Sequence, residues 1–414
     1  MGLAGSPGMR PVSAWWMLGL LTAAEVLGMS VWFSAGAVAP QLRELWSLSA
    51  QQVGWLMGAV QLGFVAGTAL GALLNLADVL PSRVYFASSA VLAAAANGAL
   101  VLASGFGVAL ALRFLTGLAL AGVYPPAMKM ISTWFRSRRG LAVGTVVGGL
   151  TVGKALPYLV RAIDARDVRV VVLGTSACAL LAALIVAAAY REGPHGFERR
   201  PFSWGLTGTV LRHRETRLAV LGYLGHMWEL YAMWVWIPAF VAASLAARTT
   251  GGAAGSTAVG DLIAFAAIAA GGLGCVWGGW QADRWGRERT VNLAMAVSGL
   301  CSLMVGLFFG ASAWLLLVVV SVWGFFVVAD SAQFSTLVTE VAPRHAVGTA
   351  LTLQTSIGFL LSIATIQLVP PLVEALTWRW AFAVLALGPA LGIAAMQRLA
   401  SLRRGDEPHR AQPA

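Results

Sequence analysis

The sequence predicts an all-α integral membrane protein of twelve transmembrane helices in two pseudo-symmetric six-helix halves. Three observations predict it. Of 414 residues, 58% are hydrophobic and only 11% charged, whereas soluble domains carry about 25% charge. Apolar segments of membrane-spanning length follow one another along the chain, and short sequences recur at one offset.

Crossing the roughly 30 Å hydrocarbon core takes about 20 mostly apolar residues. Twelve segments qualify, over residues 13–38, 51–76, 84–104, 107–134, 139–160, 169–190, 217–243, 258–281, 289–310, 313–340, 345–369 and 376–397. The first is too long for a signal-peptide core and lacks a small-residue cleavage site, so it is read as a retained span.

The repeat organises these spans. EVLGMSVW at 25–32 and ELYAMWVW at 229–236 lie 204 positions apart and match at Glu25 with Glu229, Met29 with Met233, Val31 with Val235 and Trp32 with Trp236. The same offset lays Ala142-Val143-Gly144-Thr145 on Ala346-Val347-Gly348-Thr349. Asp78 and Asp283, after the second and eighth spans, are one residue out of that register. The expected division is an N-terminal half over 1–190, a linker over 191–216, a C-terminal half over 217–400 and a tail over 401–414. The linker is the one long polar stretch, opening REGPHGFERRP and continuing into a mixed run suited to a surface helix; His195 and His213 are given no chemistry there.

Basic residues are one-sided. With the N-terminus in the cytoplasm, nineteen of the 28 fall in the tails and even-numbered loops, six in the opposite loops (Arg43, Arg161, Arg166, Arg169, Arg248 and Arg379), and three within spans. The positive-inside rule then places both termini in the cytoplasm and the protein in a cytoplasmic (inner) membrane. It also accounts for the net charge of +11, so no nucleic-acid partner is needed.

No GxxxxGK[ST] loop, catalytic triad or metal-ligand spacing is present. Cys178, Cys275 and Cys301 all lie in spans without CxxC pairing. The chain is therefore expected to be no enzyme and to hold no cofactor or metal. Parallel repeats about an axis along the membrane normal are one arrangement of secondary transporters, which place the substrate near the midplane between them.

Between spans eight and nine the chain reads Gly279-Trp-Gln-Ala-Asp283-Arg284-Trp-Gly286-Arg287-Glu-Arg289. This resembles the loop signature GxLaDRxGRR of the major facilitator superfamily, with Gln281 in place of leucine and Glu288 in place of a basic residue. The equivalent stretch of the first half, Leu74 to Arg83, keeps Leu76, Ala77, Asp78 and Arg83 but loses both glycines and the first arginine. An aspartate there can accept hydrogen bonds from a neighbouring helix N-terminus and pair with arginine, latching helices in one conformation. Span four adds Arg113-Phe-Leu-Thr-Gly117, similar to the family's RxxxG motif. Trp134-Phe-Arg-Ser-Arg-Arg-Gly140 also resembles family members that carry anions, and an ordinary basic loop before a glycine-faced helix explains it equally. The resemblance covers the whole chain and implies alternating access.

Ionisable groups inside spans are costly and point to function. They are Glu25, Arg113, Lys129, Lys154, His226, Glu229 and Asp330. Both lysines of the chain lie in spans, while the loops use arginine throughout. At 1.5 Å per residue Lys154 stands about 22 Å above the cytoplasmic start of its helix and Arg113 about 9 Å below the outer start of its own, so they share a depth. Together they would form a cationic site for an anion. Ion pairs that only fix helix packing explain the same residues.

Glu25 and Glu229 lie about 18 Å into outward-running helices. A carboxylate in an apolar span holds its proton more readily than in water unless a cation sits beside it. Glu25 is expected to carry a coupled proton with Arg113 as its partner in one conformation, a pairing the resemblance supports. Glu229 has His226 one turn earlier, and a local His/Glu pair would serve structure equally well. Substrate contacts are expected from Arg113, Lys154, Glu229, His226, Trp228 and Tyr231. Trp16, Trp46 and Trp314 suit lipid-interface anchoring as well. Lys129 can snorkel to the cytoplasmic surface, and Asp330 lies deep enough to gate.

The expected function is secondary active transport of a small organic or inorganic anion, coupled to protons, by a monomer in the lipid bilayer. Proton-driven efflux of hydrophobic drug-like compounds is the alternative that the aromatic seventh span would suit, and sodium coupling stays open. A non-transporting sensor or receptor is the alternative of a different class, and would show ligand binding without flux.

Overall fold

The computed structural model describes residues 13–163, 167–195, 203–248 and 254–410, with side chains throughout except at 77, 78, 254–257 and 405–410. Residues 196–202 of the linker, the basic Arg10, Arg166, Arg199 and Arg200, and the tail beyond 410 lie outside the described residues. The described residues form helices and connections, with no strand among them.

The first ten spans run Ala14–Val31, Ala50–Leu73, Ser82–Leu102, Phe106–Ser132, Arg139–Ile163, Val168–Ala189, Arg214–Arg248, Ala258–Trp285, Arg287–Phe308 and Ala313–Val341. An eleventh apolar stretch, Arg344–Arg404, is 61 residues long and as one rod would measure about 90 Å, three times the hydrocarbon core. It cannot cross as one span. Inside helix Val347–Trp380 the backbone leaves helical geometry at Thr377, with φ 60° and ψ 173°, and the chain folds back there. That divides the stretch into spans eleven and twelve, and the total is twelve.

Local sequence explains where the helices begin and break. Ser13 caps span one by accepting the Trp16 N–H at 3.1 Å, and Ser49 with Gln52 forms a capping box at span two. Span one loosens into a 3₁₀ turn over Met29–Val31, where the Ser30 hydroxyl donates back to the Leu27 carbonyl at 2.7 Å; such back-bonding bends helices. Span four breaks after Leu120 and resumes at Tyr124 because Pro125 and Pro126 cannot supply helical N–H groups but fit a helix's first turn.

The two halves share these irregularities. Span ten breaks at Asp330 much as span four breaks at 121–123, and spans three and nine both end in 3₁₀ turns, over Ala99–Leu102 and Val305–Phe308. The halves meet where span five packs on span eight and span two on span eleven. The first of these seams is built on glycine. A Cβ on Gly148 would lie 2.7 Å from the Gly272 carbonyl oxygen, and one on Gly144 3.0 Å from that of Cys275, so the two backbones touch directly. Trp15, Trp16 and Trp314 are exposed at span ends, at the level where aromatic belts lie.

Candidate functional site

Lys154 lies on span five where the halves meet, buried in a box of aromatic rings. Its Nζ sits 4.0 Å from the Trp32 ring centroid, 4.8 Å from Tyr231 and 4.9 Å from Trp234, and donates a hydrogen bond to the Tyr231 hydroxyl at 2.7 Å. Span one therefore supplies one wall and span seven two. Phe64 of span two and Phe359 of span eleven complete the cluster, each packed against Trp32 and 4.8 Å from one another. The ring faces offset part of the ammonium's desolvation. An ammonium has three donors, and Tyr231 takes one.

The polar groups around this box are unusually short of partners. Glu25, fully buried on span one, accepts no hydrogen bond at either carboxylate oxygen, and the indole N–H groups of Trp32 and Trp234 donate to nothing among the described residues. Span one packs on span five at this level, where a Cβ on Gly153, next to Lys154, would meet the carbonyl of Val26, next to Glu25. The Gln61 amide nitrogen is also unpaired, although its oxygen accepts the Ser362 hydroxyl across the halves. Gln61 is one turn from Phe64 and Ser362 one turn from Phe359, so this link caps the box. Buried polar atoms in folded proteins nearly always have partners. Orphaned polar atoms clustered around a buried cation make this box the candidate binding site.

Arg113 is buried at the expected depth but not beside Glu25. Its Nη1 donates to the Val31 carbonyl, the Ser34 hydroxyl and the Asn97 side-chain oxygen, each at 3.0 Å, and its Nη2 donates to the Trp32 carbonyl. The loosened end of span one presents these carbonyls, and a planar guanidinium can take several at once. Asn97 carries the network onward to Val172, Thr175 and Ser176 of span six. Arg113 thus holds the backbone of Trp32 while Lys154 sits over its ring, and the expected Glu25–Arg113 pair and joint Arg113–Lys154 site are not formed in this conformation.

Span seven presents two faces. Tyr231 and Trp234, three residues apart, face the box, while Glu229 is two residues, hence about 200°, from Tyr231 and faces into the C-terminal half. Glu229 accepts the Trp323 indole N–H at 2.7 Å and the Ser298 hydroxyl at 2.8 Å. His226 does not pair with Glu229. Its Nδ1 lies 2.9 Å from the Asp330 carboxylate and its Nε2 2.9 Å from the Ser331 hydroxyl, at the break in span ten. Trp228 donates to the Val384 carbonyl at 3.3 Å. Of the six expected substrate contacts, Lys154 and Tyr231 line the box; Glu229, His226 and Trp228 are engaged inside the C-terminal half, and Arg113 acts from behind Trp32.

Sequence reasoning weighed charges and aromatic rings and missed Asn97 and Gln61, which their rarity in apolar spans could have flagged. It also placed Arg161 in an outer loop. Arg161 is two turns beyond Lys154 on the same helix face, donates to the Ala37 carbonyl at 2.6 Å and lies 3.2 Å from Asp261 of span eight. This contact joins the halves at the end of the bundle away from the termini.

The family model described as Major Facilitator Superfamily matches residues 20–366 and 219–413. The chain belongs to the Major Facilitator Superfamily. It is 26% identical over 415 aligned positions to the hexuronate transporter of Escherichia coli strain K12, covering 91% of this chain and 92% of that one. It is 33% identical over 178 positions to the galacturonate transporter of Dickeya chrysanthemi, covering 41% and 50%. Among solved structures, the nucleoside transporter NupG superposes with a TM-score of 0.70 at 12% identity, over 92% of this chain and 99% of that one. A bacterial homolog of the human lysosomal transporter Spinster superposes with a TM-score of 0.66 at 17% identity, over 98% and 100%. The chain is a multi-pass membrane transporter of this superfamily, and not an enzyme.

The superfamily's loop signature is structured in the second half. Either Asp283 carboxylate oxygen would lie 3.1 Å from a Cβ on Gly140, at the start of span five, where a helix N-terminus favours negative charge. Gly279 packs in the same seam; a Cβ there would lie 3.0 Å from the Gly140 carbonyl. Gly286 has φ +88°, which glycine adopts at little cost, and makes the turn into span nine. Arg284 stacks on Trp280 with 3.8 Å to the ring centroid. Arg287 reaches Glu340 at 2.7 Å and Gln333 at 2.8 Å. Glu288, the departure from the family pattern, accepts Arg403 of the last helix at 2.5 Å, and Arg403 also lies 3.7 Å from Glu340. In the first half Arg83 is exposed, and the side chain of Asp78 lies outside the described residues.

Proposed function

We propose that this transporter carries a small organic anion of the hexuronate class across the cytoplasmic membrane by alternating access, with Glu25 carrying a coupled proton. The observation that carries the reading is Lys154, buried in an aromatic box with one oxygen partner and ringed by unpaired donors. A sugar acid matches each part of it. Its carboxylate would take the free ammonium donors, its C–H faces would stack on Trp32, Tyr231 and Trp234, and its hydroxyls would meet the indole and amide N–H groups. The names of the two sugar-acid transporters to which the chain is similar support that class.

Glu25 and Lys154 are both buried where spans one and five pack together, so the charge of one would affect the protonation of the other. A substrate carboxylate would compete with Glu25 for Lys154, and an added proton would neutralise Glu25 as the substrate binds. Residues 1–190 and 217–400 are the halves proposed to rock about the 191–216 linker, both termini being cytoplasmic. Arg161–Asp261 and Gln61–Ser362 would close the outer end.

The test is uptake of galacturonate and glucuronate into proteoliposomes with an imposed pH gradient. Wild type should concentrate one of them when the gradient favours proton entry, Lys154→Ala should not transport, and Glu25→Gln should exchange without concentrating. Sugar-acid flux through Lys154→Ala equal to wild type would sink the substrate assignment. Accumulation indifferent to the gradient would sink the coupling.

A further inference from the structure

At the end of the bundle where span one begins, the first residues of span one, the connection between spans four and five, and His195 of the linker line an open surface cavity of about 400 Å³ that plays no part in the central site. Its wall combines Trp15, Trp134, Arg136, Ser137, Arg138 and His195. We infer that this cavity is a binding site for the phosphate headgroup of an anionic phospholipid.

The cavity is held in shape by its own hydrogen bonds. The Trp134 indole donates to the Arg191 carbonyl at 3.0 Å, the His195 N–H to the Thr133 carbonyl at 3.1 Å, and the Gly193 N–H to the Thr133 hydroxyl at 3.1 Å. These bonds bind the start of the linker onto the turn between spans four and five. Trp15 packs edge-on against Phe135 at 5.4 Å between centroids and fixes the span-one wall. Arg138 holds φ +56°, a conformation non-glycine residues seldom adopt, while its carbonyl accepts the Ala142 N–H at 3.1 Å.

The charge is unspent. Arg136 and Arg138 are both exposed, and neither side chain makes a hydrogen bond or ion pair among the described residues. The acid at the same helix start, Asp283, lies against Gly140 on the opposite seam. Two arginines supply planar donor forks suited to phosphate. Trp15 and Trp16, about half and two-thirds exposed, mark the headgroup level at the cavity's edge. Basic pockets between helices at the cytoplasmic surface suit anionic headgroups. A soluble phosphate compound would use the arginines but gain nothing from the tryptophans.

The test is native mass spectrometry of the full-length protein released from nanodiscs of phosphatidylcholine with one-fifth phosphatidylglycerol. Wild type should retain phosphatidylglycerol in several-fold excess over its share of the bilayer, and Arg136→Ala/Arg138→Ala should lose that enrichment. Arg212→Ala/Arg214→Ala, which removes two exposed arginines elsewhere on the same end, should retain it. Equal retention by wild type and the first variant, or equal loss in both variants, overturns the site. If 10 mM inorganic phosphate protects the detergent-solubilised protein against heat as well as phosphatidylglycerol does, and through the same two arginines, the ligand is a free phosphate and the lipid assignment falls. Should the double variant not fold, Arg136→Gln alone at this exposed position gives the same readout.

Discussion

Glu25 and Glu229 hold equivalent places in the two halves, and their surroundings differ completely. Glu229 is satisfied by an indole and a hydroxyl from its own half. Glu25 accepts no hydrogen bond, and its helix packs on the one that carries the buried Lys154. A carboxylate with fixed donors is a packing element whose loss costs stability. One without them is costly to bury as an anion, and that cost is what lets a proton or a substrate change its state. Residue type and depth are the same in both halves; the donors decide the difference.

The comparison can be broken most severely at Lys154. Removing one partner of a buried charge pair costs about 3–5 kcal/mol, so Lys154→Ala should weaken sugar-acid binding by at least about 100-fold, read by equilibrium binding or counterflow. The parallel substitutions Glu25→Gln and Glu229→Gln sharpen it. The first should leave thermal stability near wild type and remove gradient-driven accumulation. The second turns one acceptor oxygen into a donor facing an N–H or O–H and should cost about 1–3 kcal/mol, seen as a fall of a few degrees in melting temperature with coupling intact. If the two variants exchanged these phenotypes, the contrast drawn from the donors would be wrong.

Further from the glutamates, Asp261→Asn weakens the contact that Arg161 makes between the halves. It should shift the conformational balance toward opening at that end, with a cysteine at Gly54, whose Cβ would lie 3.0 Å from the Gln367 side chain where spans two and eleven meet, labelled about tenfold faster, a shift of about 1.4 kcal/mol. The smallest effect is expected at Arg403→Ala. Its partners Glu288 and Glu340 lie at a partly exposed surface, where such pairs contribute at most about 1 kcal/mol, so uptake should change by no more than a few-fold.

Much of the fold was legible because apolar length and one-sided charge follow from the bilayer alone. Twelve spans, their two-half arrangement and the two lysines placed inside spans can all be read from residues in order. The orientation of side chains is harder. Tyr231 and Glu229 stand two residues apart and could have been separated by helical phase, but an aromatic run of this density hides the face it buries. Arg113 could not be placed because its partners are backbone carbonyls that exist only where span one loosens. Glu288 looked like a departure from a motif until Arg403, 115 positions away, came beside it. Asn97 and Gln61 were overlooked because an uncharged amide raises no alarm in a census of charges, although inside a membrane its hydrogen bonds matter nearly as much.

The glycine seam between spans five and eight has a mechanical consequence. Helices that interlock through side chains can shift only by lifting knobs out of holes and repacking rotamers. Where backbone touches backbone, as at Gly148 and Gly272, there is little to lift. The seam is suited to serve as an axle, on which one half can roll against the other with low friction. Any side chain placed there would act as a brake, slowing turnover while leaving the surroundings of Lys154 and Glu25 untouched.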